Sequence, residues 1–84
     1  MSPKLADEAR VIRLASLTHI ERCRADAIYF ASMGGNALVD ADRLLVELNF
    51  MEFSDVHDTL KRDRLYALRD EAVLDINRAI EDAE

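Results

Sequence analysis

The longest amphipathic stretch of this 84-residue chain, residues 5–33, constrains the fold more than any other feature. At 100° per residue, its apolar side chains form one stripe that a helix would bury on a single side. The stripe consists of Leu5, Ala9, Ile12, Ile20, Cys23, Ala27 and Phe30. Pro3 behind Ser2 suits a helix start, and Gly34-Gly35 suits its end. We therefore expect one long helix on which the rest of the chain packs.

The length of this helix raises the question of a break. About thirty residues rise about 45 Å, whereas a compact domain of this size is about 30 Å across. Residues 16–18 offer a break, because Thr18 and Glu21 have the spacing of a capping box. The apolar stripe keeps its phase through these residues, which favours a continuous helix.

Two further helical patterns follow the glycine pair. Asn36 or Asp40 can cap a second helix, which begins at residue 37 and ends around Phe50–Phe53, before Ser54. Ser54 followed by Asp55 suits the start of a third helix, since the hydroxyl can cap and the carboxylate favours the positive end. The first two turns of this third helix are out of phase with the rest and could form a separate short helix.

The composition agrees with a folded, helical chain. Half of the residues are hydrophobic and 33% are charged, and two glycines and one proline leave few places to turn. The fold class predicted is all-α: a small antiparallel bundle of three or four helices that forms a single domain over residues 1–84. The single cysteine cannot form an intramolecular disulfide, and neither a membrane span nor a signal-peptide core is present in the sequence. We therefore expect a cytoplasmic protein.

Acidic residues are concentrated in the middle of the chain. The net charge is −6 and the isoelectric point is about 4.8, which argues against direct binding to nucleic acid or to an anionic membrane. Residues 34–58 carry Arg43 against six carboxylates, a net charge of −5. We predict that these carboxylates face a partner protein with a basic surface. They are Asp40, Asp42, Glu47, Glu52, Asp55 and Asp58.

Each predicted helix has more apolar residues than one buried face requires. The surplus side chains recur at helical spacing on a second side, and a helix that is apolar on two sides must be covered on two sides. We predict that these residues bind a partner or a second copy of the chain, in a homodimer or larger assembly. They are Leu14, Leu17, Ile28, Val39, Val46, Phe50 and Phe53.

The sequence contains one pair of side chains with metal-ligand spacing. His19 and Cys23 are four residues apart on one helix face, a spacing that can offer two ligands to Zn²⁺. A site needs more ligands, and the sequence has no second paired motif. Cys23 as a nucleophile would lack an identifiable orienting group. We therefore expect no metal, no cofactor and no catalytic residue.

Together these patterns predict a non-enzymatic interaction module that binds and inhibits or regulates another protein. In its sharpest form, the acidic segment blocks a basic nucleic-acid-binding site, as small helical phage inhibitors of restriction or CRISPR systems do by imitating phosphate spacing. The alternative is a small metal-binding or enzymatic subunit that uses His19 and Cys23.

Overall fold

The computed structural model describes residues 16–84, and within this part of the chain there are three α-helices and no strand. The helices are α1 (Ser16–Met33), α2 (Ala37–Asn49) and α3 (Thr59–Ala83). Each helix packs against the other two. The all-α prediction is confirmed for the described residues. The predicted start at Ser2-Pro3 and the first three stripe positions lie outside them.

Helix α1 runs without interruption from Ser16 to Met33. Thr18 lies inside the helix, so the capping-box spacing of Thr18 and Glu21 does not mark a helix start. The helix therefore has no break between Ser16 and Met33. Whether it continues towards Leu5 lies outside the described residues.

The glycine pair ends α1, as predicted. Gly34 and Gly35 have φ angles of +69° and +56°, in the left-handed region that glycine enters without a side-chain penalty. The N–H of Gly34 donates to the carbonyl oxygens of Phe30 and Ala31 at 3.3 and 3.2 Å. These bonds satisfy the last carbonyls of α1 and turn the chain towards α2.

The start of α2 differs in detail from the predicted cap. Asn36 occupies the N-cap position, but its side chain makes no capping hydrogen bond. The first N–H groups of α2 instead donate to backbone oxygens three residues earlier, beginning with Ala37 to Gly34 at 3.1 Å. The tight glycine turn supplies these acceptors, which leaves no need for a side-chain cap. Asp40 lies in the first turn, near the positive end of the helix.

The predicted start of α3 at Ser54-Asp55 is wrong. Helix α3 begins at Thr59, and the Asp58 carboxylate accepts from the N–H of Lys61 at 3.2 Å. Asp58 is an equally good cap, and tertiary packing decides between the two. Residues 50–58 form a non-helical connection that inserts Phe53 into the core, where it is 3% exposed. The second helix ends at Asn49, just before the range Phe50–Phe53 in which its end was expected.

The core lies where the main stripes of the three helices meet. Its buried members are Ile20, Cys23, Ala27, Leu48, Phe53, Leu65, Ala72 and Ile76. Four alanines among the buried residues of the helices, Ala27, Ala31, Ala41 and Ala72, are at most 1% exposed, and such small side chains allow close helix contact. The main stripe predicted for α1 is confirmed at Ile20, Cys23 and Ala27.

Candidate functional site

The outer side of α2 presents a line of exposed apolar side chains. Val39, Val46 and Phe50 are spaced by seven and four residues, so they lie along one side of the helix. Phe50, the C-cap residue, is 80% exposed, an unusual position for a phenylalanine. Three of the predicted apolar contact residues therefore share one solvent-facing surface. We call Val39, Val46 and Phe50, together with the exposed charged residues Asp42 and Arg43 on α2 and Glu52 just after it, the α2 face.

The six predicted acidic residues do not act as a single group in the structure. Asp42 and Glu52 are exposed beside the apolar line, whereas Asp40 is half-buried in the first turn of α2. Asp58 caps α3. Glu47 is engaged by His19, and Asp55 also has an interaction partner. Asp42 and Glu52 thus stay exposed at the α2 face, whereas Asp58 and Glu47 make contacts within the fold.

The remaining predicted apolar contact residues have different environments. Leu17 is exposed at the start of the described part of α1, and Ile28 is half-buried against the core. Phe53 is buried, so the prediction that it lies on an exposed contact surface is wrong. The non-helical connection before α3 turns its side chain inward. Leu14 lies outside the described residues. Sequence periodicity placed Phe53 on a helix that ends before it.

A groove runs between α1 and α3 next to Leu17. Its walls carry charges of both signs, with Glu21 and Arg24 on α1, and Lys61, Arg64 and Glu71 on α3. Arg24 and Asp75 bridge the helices there, with Nε 3.0 Å from Oδ2. Positive and negative side chains are equal in number in this groove, whereas the α2 face has a net negative charge.

The predicted metal-ligand pair acquires a third member through the packing of α1 on α2. Nε2 of His19 lies 3.0 Å from Oε1 of Glu47 and 3.9 Å from Sγ of Cys23. All three potential ligand atoms lie within 4.8 Å of one another. Among residues 16–84 this is the one such group of three histidine, cysteine or carboxylate side chains. The sequence predicts that Glu47 lies on a partner-binding surface. Because Glu47 and His19 are 28 residues apart, no local sequence pattern predicts the contact between them.

Burial sets the chemistry of the Cys23 thiol. Cys23 is 3% exposed and has no disulfide partner. Burial, and after it the negative charge of Glu47, raises its pKa from 9.0 to about 11. At neutral pH the thiol is protonated, which makes it a poor nucleophile.

The comparisons with known proteins add no relative. A scan against protein-family models found no match, and neither the curated proteins nor the solved structures gave one.

None of the helices in the described part of the chain combines the length and apolar character that crossing a membrane requires.

Proposed function

We propose that the protein is a non-enzymatic interaction module whose α2 face binds and inhibits or regulates a partner protein with a basic surface. The observation that carries the proposal is the exposure of Val39, Val46 and Phe50 in one line. Large apolar side chains that share one exposed line are typical of contact surfaces, and aromatic anchors supply much of the binding energy in such contacts.

Charge selects the occupant of the α2 face. Asp42 and Glu52 are exposed there, and residues 34–58 have a net charge of −5. Asp42 and Glu52 outnumber the exposed Arg43 on this face, so two copies that met through it would bring two net negative surfaces together, at a cost in binding free energy. A partner with lysines and arginines around an apolar pocket would gain both from apolar contact with Val39, Val46 and Phe50 and from attraction between opposite charges. The sharpest version of the proposal is a partner whose basic surface otherwise binds nucleic acid, as for phage inhibitors of restriction or CRISPR systems.

We assign self-association to a different surface, the groove between α1 and α3. Leu17 is exposed beside it, and Glu21, Glu71, Lys61 and Arg64 line its walls. Mixed charges allow two copies to pair opposite signs across this groove. We also propose that α1 and α2 run antiparallel within each copy, because a three-residue turn joins them.

Site-specific cross-linking tests the α2 proposal. A photoreactive diazirine residue replaces Val46 in the full chain, which is expressed in the cells from which it comes. A matched protein carries the same residue at Leu74, an exposed leucine on α3. We expect a cross-linked adduct from position 46 alone, attached next to lysines or arginines of the second protein. Equal adducts from both positions, no adduct, or attachment to an acidic surface would contradict the proposal.

A further inference from the structure

The geometry points to a Zn²⁺ site formed by His19, Cys23 and Glu47 at the contact between α1 and α2. The three side chains offer imidazole nitrogen, thiolate sulfur and carboxylate oxygen, the three donor types that zinc uses in proteins. This site is independent of the proposed partner surface, since neither Val46 nor Phe50 contributes a donor atom.

The distances fit a tetrahedral zinc ion. With Zn–S of about 2.3 Å and Zn–N and Zn–O of about 2.0–2.2 Å, donor atoms at tetrahedral angles lie roughly 3.3–3.6 Å apart. Here Nε2 of His19 lies 3.9 Å from Sγ of Cys23 and 3.0 Å from Oε1 of Glu47. These two separations need to change by only a few tenths of an ångström, and the separation between Sγ of Cys23 and the Glu47 carboxylate, which is at most 4.8 Å, shortens as the exposed Glu47 side chain rotates.

The helices fix the donors before an ion arrives. His19 and Cys23 are one turn apart on α1, and Glu47 comes from α2, so the site would join two helices. Preorganised donors lower the ordering cost of binding. Because the ion would bind the folded chain better than the unfolded one, it would also stabilise the fold.

The site has an open side. Cys23 is buried, whereas the side chains of His19 and Glu47 are 40% and 47% exposed. An ion can enter from solvent between the two exposed donors and reach the sulfur at the floor of the site. Zinc would replace the thiol proton, which passes to solvent, and water would complete the fourth position.

Cobalt spectroscopy of the purified full chain tests this assignment. Co²⁺ replaces zinc in tetrahedral sites, and a bound thiolate gives a near-ultraviolet charge-transfer band. We expect that band to saturate at one Co²⁺ per chain and to disappear when Zn²⁺ is added. His19→Gln and Glu47→Gln should each weaken Co²⁺ binding by more than about tenfold, since loss of a mere outer-shell partner already costs that much.

Two further variants keep the result interpretable. Cys23→Ala should abolish the charge-transfer band, and circular dichroism establishes whether it folds. If it does not fold, the exposed His19 and Glu47 variants still decide the question. His57→Gln removes the other histidine, which is exposed in the connection before α3, and should leave binding unchanged. Absence of the band, or binding that is lost with His57→Gln but kept with His19→Gln and Glu47→Gln, would overturn the assignment.

Discussion

The backbone N–H of Phe53 donates to the hydroxyl oxygen of Tyr66 at 3.0 Å, and the two rings pack edge to face with centroids 5.0 Å apart. Arg69 extends this contact, because its guanidinium lies 5.0 Å from the centre of the Tyr66 ring. Arg69 also donates to the carbonyl oxygen of Met51 at 2.8 Å. These contacts attach the connection between α2 and α3 to α3 itself, next to Phe50 of the α2 face.

Removal of the Phe53 ring and removal of the Tyr66 hydroxyl should lower the free energy of unfolding by different amounts. Phe53→Ala leaves a core cavity and should lower the free energy of unfolding by about 3–5 kcal/mol. Tyr66→Phe keeps the ring contact but leaves the Phe53 N–H without its acceptor, at a cost of about 1 kcal/mol. Urea denaturation measures both values. Tyr29→Phe is the control, since Tyr29 is exposed, and should cost less than about 0.5 kcal/mol. A Tyr66→Phe effect no larger than that of the control would contradict the role given to this hydrogen bond.

The position of Phe53 also illustrates what the sequence could not decide. Gly34-Gly35 and the buried stripe through Ile20 depend on local chain geometry, so periodicity and turn residues were sufficient to predict them. Ser54 and Asp58 are both good helix caps, and the choice between them depends on the burial of Phe53 against a residue on α3. Local rules contain no information about that contact.

Only two of the three candidate metal ligands could be predicted from the sequence, for a related reason. His19 and Cys23 lie one helical turn apart, so their proximity follows from the helix alone. Glu47 joins them through the packing of α2 on α1, a long-range contact. One sequence without homologous sequences gives no signal for such a pair. The same carboxylate therefore looked like part of a solvent-facing acidic surface.

Cys23 should make stability depend on pH in the alkaline range. Its pKa rises from 9.0 to about 11 on folding, so the unfolded chain releases this proton first as the pH rises. The resulting stability is fully present below about pH 9 and is lost between about pH 9 and pH 11. Urea denaturation in metal-free buffer at about pH 8 and about pH 10.5 measures the loss. Cys23→Ala provides the comparison, because it lacks the thiol and keeps every other group. Equal losses in both proteins would contradict the role of the thiol.

Self-association should depend on Leu17. Leu17→Glu places a charge beside the groove between α1 and α3, and should shift the oligomer towards monomer by more than about tenfold in dissociation constant. Sedimentation equilibrium over the micromolar range measures this shift. Leu74→Glu makes the same change at an exposed leucine outside the groove and should have little effect. Dissociation by Leu74→Glu instead, or a wild-type chain that stays monomeric throughout, would contradict the proposed interface.

Charge reversal beside the α2 face should slow partner binding. Replacing Asp42 and Glu52 with lysine removes long-range attraction to a basic surface, which acts before contact and is screened within about 8–10 Å. We expect a lower association rate constant and a weaker dependence on salt in stopped-flow measurements with the cross-linked partner. Asp63 and Glu81, which are exposed on α3, provide a control with the same change in net charge. If both double variants behave alike, net charge alone matters and the α2 face loses its electrostatic role.

The most direct test of the account is the affinity of Phe50→Ala for the partner identified by cross-linking, measured by isothermal titration calorimetry. The 80% exposed ring contributes little to the folded monomer, so circular dichroism should be unchanged. If the α2 face is the binding surface, the dissociation constant should rise by at least about tenfold, as for an aromatic anchor, whereas Leu74→Ala should stay within about twofold of wild type. Wild-type affinity for Phe50→Ala, or weakening by Leu74→Ala alone, would contradict the claim that α2 carries the function.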